Sequence, residues 1–306
     1  SFNKIQKRGV LVMDFTLNIT FYLFILGIVA YIVREVWRAK ALRWIAFGIL
    51  SGAFVLITIL VVTRWVKVNH IPSSGMYESL VFFTWLIALV YLIMELVTIF
   101  ILRVHESRLG IIGALQCVLA VVMLHFAINT DSTIKELPPA LQSDWFLVHV
   151  TNYFISYSAL SISFSAAIIY LVYRAIYRGR AQETVMSASD SLLRKNLTFD
   201  KLAYISVTIG FPFLTVGLIT GAIWAKSAWG TYWGWDPKET WSLISWLAYL
   251  AYLHLPMILP KTKIKKNFAP ILLSIVLLVA FPIVIFTFMF IHTLPSAEDS
   301  VHIYTE

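Results

Sequence analysis

Residues 268–291 read Phe268-Ala-Pro-Ile-Leu-Leu-Ser-Ile-Val-Leu-Leu-Val-Ala-Phe-Pro-Ile-Val-Ile-Phe-Thr-Phe-Met-Phe-Ile291, twenty-four residues without one charge. As an α-helix this run extends about 36 Å at 1.5 Å per residue. The hydrocarbon core of a bilayer is roughly 30 Å thick, so the run is long enough to span it. Seven more stretches qualify: roughly 15–33, 44–62, 77–102, 109–128, 146–173, 202–224 and 241–259. None alternates apolar with polar residues as a barrel strand does. In lipid a helix satisfies its own backbone groups, whereas an open chain does not. The predicted fold is therefore all-α: a polytopic membrane protein of about eight transmembrane helices with an external Trp-rich loop. Pro212 and Pro282 fall inside the sixth and eighth segments, where each removes a helical hydrogen bond and predicts a kink.

Composition agrees. Of 306 residues 59% are hydrophobic and 13% charged, about half the charge of an ordinary soluble domain. The net charge of +8 does not point to nucleic acid, because the basic residues cluster between apolar runs. Sixteen of the 24 Lys and Arg fall in alternate connections: Arg34 to Arg43, Arg103 and Arg108, Arg174 to Lys201, and Lys261 to Lys266. Basic loops stay on the cytoplasmic side. Both termini and the loops near 63–76, 129–145 and 225–240 are thus predicted to lie outside. Cys117 is the one cysteine and sits in an apolar run, so the chain has no CxxC pair, disulfide framework or zinc cage of its own. No cleavable signal peptide is evident. Met13-Asp14-Phe15 reads like a natural start, so residues 1–12 are expected to be a leader or the remnant of a fused upstream unit, outside the fold. No linker divides residues 13–306, which read as a single integral-membrane domain.

Six of the eleven Trp lie between Trp224 and Trp246. The centre reads Trp229-Gly-Thr-Tyr-Trp233-Gly-Trp235-Asp236-Pro-Lys-Glu239-Thr-Trp241, and the charge pattern places it on the outer face. Two readings are open. An aromatic belt anchoring two helix ends explains Trp224, Trp241 and Trp246. Trp229, Trp233 and Trp235 stand in a loop with Gly230 and Gly234, which let the backbone turn and approach something flat. Packed indoles there make an apolar platform suited to a planar conjugated ligand. Asp236-Pro237 before Lys238-Glu239 reads as a helix N-cap with Pro in the first turn.

The run resembles the tryptophan-rich WWD motif of haem-handling membrane proteins, and the wider chain resembles the CcsA/ResC type of cytochrome c assembly protein. Gly210-Phe-Pro-Phe-Leu-Thr-Val-Gly-Leu-Ile-Thr-Gly-Ala-Ile-Trp224 leads into the motif as in that family. Pro72-Ser-Ser-Gly-Met-Tyr77-Glu78-Ser79-Leu80 resembles a second family stretch. The resemblance implies that the chain binds and presents haem b, its transported ligand and substrate, at the outer face for thioether attachment to apocytochrome c, with system II logic. It implies the haem-handling subunit of a cytochrome c synthase, or haem lyase, complex. The membrane would be a bacterial plasma membrane or a plastid thylakoid, with the site on the periplasmic or lumenal face.

In that family one histidine flanks each side of the motif and the two cap the haem iron, a normal way to hold it. His149 in Leu147-Val-His149-Val and His292 in Ile291-His292-Thr match by position and local sequence. Trp224, Trp229, Trp233, Trp235, Asp236 and Trp241 are carried over as cofactor-binding residues. His254 sits in the seventh segment, five residues before Leu259, and an ionisable group at membrane depth is a functional candidate by default. The resemblance gives it a haem-binding role within the membrane; the plain alternative packs it beneath Tyr249 or Tyr252. His70 and His125 lie near the outer face, as ligand contacts or as interfacial residues. His105 lies on the cytoplasmic side among charged neighbours and is the one rival within the chain for a second ligand opposite His254, and His302 lies in a polar tail without an expected role. Arg64, Lys67 and Lys226 face outward, to snorkel or to pair with propionates. Glu78 and Glu239 are candidate supporting residues, and Glu95, inside the third segment, has no evident partner.

The implied partners are a CcsB/ResB-type membrane protein supplying a second histidine opposite His254, apocytochrome c with its Cys-x-x-Cys-His, and a thiol reductant protein. Two other classes compete. A b-type membrane cytochrome would hold haem between histidines deep in the bilayer, not beside an open loop. A solute transporter would show broken helices and polar midplane groups, for which the two prolines are the only hints.

Overall fold

The computed structural model describes residues 2–37, 39–68, 70–73, 75–101, 109–134, 137–176, 199–262 and 268–294. Among these, eight helices are long and apolar enough to cross a membrane, and no strand occurs. They are α1 (Phe2–Trp37), α2 (Lys40–Val68), α3 (Met76–Leu96), α4 (Gly110–Ile128), α5 (Asp144–Ile176), α6 (Phe199–Trp229), α7 (Pro237–Ile258) and α8 (Ala269–Met289). The eight expected segments are all present. α1 starts at Phe2, so the helix runs on through the stretch expected to lie outside the fold. α6 and α8 continue through Pro212 and Pro282. His105 and His302 lie outside the described residues.

The chain forms two compact units, residues 1–137 and 138–306. In the first, α1 to α4 pack as antiparallel helices held partly by buried charge. Glu95 on α3 is only 1% exposed. It accepts from Arg34 of α1 at 2.5 Å and from the Tyr31 hydroxyl at 2.6 Å. The acid that lacked a partner in the sequence therefore has two. A π-helical turn, Val97–Ile101, follows immediately. Gly113 of α4 lets Tyr31 and Tyr91 close on it: a Cβ there would stand 2.5 Å from the Tyr91 hydroxyl.

At the opposite end of this unit, Arg64 is buried and does not snorkel. Its Nε donates to Glu78 at 2.9 Å. Its terminal nitrogens donate to the carbonyls of Ser132, at 2.7 Å, and Thr133, at 3.2 Å. The guanidinium also lies 5.4 Å from the Tyr77 ring centre. The Tyr-Glu-Ser stretch thus builds a clamp joining α2, α3 and the loop after α4. A single guanidinium can fill all these positions because it offers five donors in a rigid fork.

In the second unit α5 is the central helix. Its serines Ser156, Ser158, Ser161, Ser163 and Ser165 are buried. Three of them bond back to their own helix: Ser158 to Phe154, Ser161 to Ser158 and Ser163 to Leu160. Small residues at such a face let helix backbones approach where lipid removes the hydrophobic drive. Gly210 of α6 uses that room, its α-carbon against Ala159 and Leu160. Successive helices run antiparallel. Tyr173 stacks on Phe199 at one end of the unit. At the other end the start of α5, the end of α6, the start of α7 and the end of α8 come together.

Candidate functional site

That second end gathers His149, the Trp-rich loop and the turn that carries His292. His149, on the first turns of α5, faces the last turns of α6. Its Nδ1 lies 2.7 Å from the Gly217 carbonyl oxygen. A carbonyl only accepts, so Nδ1 carries the proton and the lone pair sits on Nε2. The ring stacks on Trp224 at 5.9 Å and 21°, and meets Tyr153 edge-on at 4.6 Å. Trp224 is 4% exposed and donates its indole N–H to the Ala140 carbonyl at 2.7 Å. It also touches Phe146 and Trp229. It is an interior wall behind the histidine.

The loop from Gly230 to Asp236 is held by backbone geometry and one carboxylate. Gly230 turns the chain out of α6 with φ +85°, and Lys226 Nζ donates to its carbonyl at 2.6 Å. The other left-handed residue is Trp235, φ +57°, while Gly234 has no positive φ. A bulky residue in that region is strained. Glu239 holds it there: one carboxylate oxygen, Oε2, accepts from the N–H of Gly234 at 2.8 Å and of Asp236 at 3.2 Å, on either side of Trp235. Asp236 in turn accepts from Lys238 N at 2.8 Å. Together they form the capping box that starts α7. The result is an indole 70% exposed, with Trp233 edge-on to it at 5.7 Å. The Trp233 indole nitrogen is buried without a hydrogen-bond partner among the described residues.

Trp241 packs edge-on against Phe286 of α8 at 4.9 Å, and Trp246 donates to Thr215 of α6 at 3.0 Å. His292 stands in the short 3-10 turn Ile291–Thr293 directly after α8; its side chain lies outside the described residues. His254 does not pack beneath Tyr249 or Tyr252. Those two are buried, whereas His254 is exposed on α7. Its Nδ1 bonds to the Leu250 carbonyl at 2.8 Å, which again leaves the Nε2 lone pair outward. His125 is exposed and His70 half-buried beside the Ile71 carbonyl, both in the first unit.

Gly217, Gly221 and Tyr153 escaped the sequence reading. The signal was present: Gly217-Leu-Ile-Thr-Gly221 is a small-xxx-small pattern of close helix approach. A Cβ at Gly221 would lie 2.5 Å from His149 Nδ1, and one at Gly217 would lie 2.9 Å from the Tyr153 ring.

A family model described as cytochrome C assembly protein matches residues 73–295, a span that includes Glu78 of the Arg64 clamp and the turn carrying His292. A relative from Guillardia theta named cytochrome c biogenesis protein CcsA is 34% identical over 259 residues, covering 79% of this chain and 83% of its own. The chain belongs to the CcsA-type cytochrome c assembly proteins. Another CcsA of the family, from Chlorella vulgaris, is 36% identical over 229 residues, covering 67% of this chain and 71% of its own. Among solved structures the chain is similar to one titled cytochrome c haem lyase CcmF, with TM-score 0.59 and 20% identity. That match covers 94% of this chain and 49% of CcmF, about half its length; at this identity the likeness is one of fold. Membership makes this CcsA-type chain an integral membrane protein of cytochrome c biogenesis.

Proposed function

We propose that the His149 end of the second unit holds haem for covalent attachment to apocytochrome c. The observation that carries the reading is the state of His149. Its proton is committed to a backbone carbonyl, its ring is walled by Trp224 and Tyr153, and its lone pair is on Nε2. A metal-bound histidine is normally prepared in this way. His292, leaving α8 at the same end of the unit, is the second axial ligand. Trp233 and the exposed Trp235 supply the face for a flat macrocycle, and the capping pair Asp236 and Glu239 fixes their backbone.

By the basic-loop pattern this end is outside, on the periplasmic or lumenal face. Haem b is the substrate. The chain supplies orientation and proximity, as the haem-handling part of a system II synthase. Each thiol of an apocytochrome Cys-x-x-Cys-His adds its S–H across a vinyl C=C, with no oxidant consumed, and the incoming histidine replaces one axial ligand. A thiol reductant protein keeps the cysteines reduced. His254, exposed on α7 with its Nε2 lone pair outward, is the membrane-level ligand on the cytoplasmic side. A CcsB/ResB-type partner covers it and supplies the opposing histidine as haem enters for export.

The test is an optical spectrum of the detergent-purified protein with its membrane partner. A six-coordinate haem spectrum is expected, lost or shifted in His149→Ala and in His292→Ala, and partly restored by added imidazole. Unchanged spectra in both variants would remove the assignment. Bound haem that cycles electrons yet forms no thioether with added apocytochrome would make the chain a b-type cytochrome instead.

A further inference from the structure

We infer that α6 carries a socket for His149, made of the Gly217 carbonyl and the absent side chain of Gly221, and that this socket sets the imidazole as an iron ligand. The inference rests on the reading of His149 as a haem ligand and adds two positioning residues to it.

The ring is fixed along one edge. Nδ1 is bonded to Gly217 O at 2.7 Å, and the Nδ1–Cε1 edge lies over Gly221, where a methyl group would stand 2.5 and 2.6 Å from those two atoms. No real Cβ occupies such a position, so any residue but glycine must push the ring off the helix. Pushing it off breaks the Nδ1–H···O=C bond and turns Nε2 away from its direction. Gly217 has a second duty. Its missing side chain leaves space for Tyr153, whose ring would meet a Cβ at 2.9 Å and which itself meets the imidazole edge-on. The Gly217 carbonyl is the acceptor that holds Nδ1–H, since the Thr220 hydroxyl makes its shorter bond, 2.7 Å, to the Val216 carbonyl. Outer-shell acceptors of this kind fix the tautomer and raise the basicity of the ligating nitrogen. One carbonyl and two bare α-carbons on successive turns of a single helix therefore define the ligand's tautomer, its direction and its wall.

The experiment compares three alanine variants of α6 and one double variant, in the full chain with its membrane partner. Gly221→Ala should lower haem per molecule, or its affinity, about tenfold or more, the scale on which outer-shell partners of metal-bound histidines act. It should also shift the reduction potential of the haem retained, and free imidazole should partly restore the spectrum. Gly210→Ala adds a methyl at the same α5–α6 interface, 3.2 Å from Ala159 and Leu160 but away from His149. It should leave haem per molecule and potential unchanged. Gly217→Ala should act through Tyr153, with a smaller spectral change than Gly221→Ala.

The double variant His149→Ala/Gly221→Ala should accumulate and respond to imidazole like His149→Ala alone, because the new methyl then has no ring to displace. This holds even where Gly221→Ala accumulates poorly. The socket is overturned by a normal spectrum and potential in Gly221→Ala, by equal losses in Gly210→Ala and Gly221→Ala, or by a double variant that accumulates less, or responds less to imidazole, than His149→Ala alone. A normal spectrum in His149→Ala overturns instead the ligand reading on which it rests.

Discussion

At the scale of the residue, Trp235 carries the sharpest conflict between local preference and observed state. Its left-handed backbone, φ +57°, costs about 1–2 kcal/mol for a residue with a Cβ. Glu239 sustains it by accepting from both flanking N–H groups. Strain kept beside an exposed indole is the signature of a site in which the side chain's position matters more than its comfort. Trp235→Gly removes the strain together with an edge contact to Trp233 worth about 1 kcal/mol, so its melting temperature should stay near the parent's. Trp235→Ala loses the contact and keeps the strain, and should melt lower than Trp235→Gly. Both should retain less haem, as should Trp233→Ala/Trp235→Ala. An alanine variant at least as stable as the glycine variant would show that the left-handed turn is not maintained. A double variant that fails to accumulate yet keeps normal haem per molecule would make the loop a structural anchor.

At the scale of the element, the first unit shows how helices bind in lipid without a hydrophobic drive. α1 is joined to α3 by the buried Arg34–Glu95 pair and the Tyr31 hydroxyl. Removing one partner of such a pair strands the other charge and costs about 3–5 kcal/mol, whereas replacing both with apolar residues of similar volume is often tolerated. Glu95→Leu or Arg34→Met should therefore lower the melting temperature in detergent strongly, and Arg34→Met/Glu95→Leu should recover much of the loss. Single and double variants of equal stability would mean that the pair contributes nothing to holding α1. In the second unit, close approach is achieved differently, by serines on α5 and glycines on α6. That is why a histidine there can reach a backbone carbonyl on the neighbouring helix.

At the scale of the whole molecule, orientation decides which face the His149 end serves. Sixteen of 24 basic residues in alternate loops predict both termini outside. A reporter active only outside the cytoplasm should work when fused after Pro138 and fail after Lys263. Residues 131–134 are a poor fusion point, because the Ser132 and Thr133 carbonyls hold Arg64. Activity after Lys263 would reverse the orientation and move the proposed handover to the other face. The exposed His254 bears on partnership. Full maturation of cytochrome by this chain alone, abolished by His105→Ala, would show that it needs no second polypeptide.

The eight spans, the Trp-rich loop and the Asp236 cap follow from the sequence alone, because each depends on residues within a turn or two of one another. Twenty apolar residues fix a membrane helix whatever surrounds them, and Asp-x-x-Glu caps a helix through its own backbone. The sequence also pointed to His149 and His292 at one end of their helices. Only the tertiary structure decided what His149 meets. Arg64 and Glu78, fourteen residues apart, close into a clamp; Arg34 and Glu95, sixty-one apart, become one buried pair; and His254 turns outward. Gly217 and Gly221, which the sequence reading passed over, leave space beside α5 that the Tyr153 and His149 rings fill. Pairing between distant residues depends on which helix faces which, and the period of an apolar run carries no record of that in lipid, where outward and inward faces are both hydrophobic.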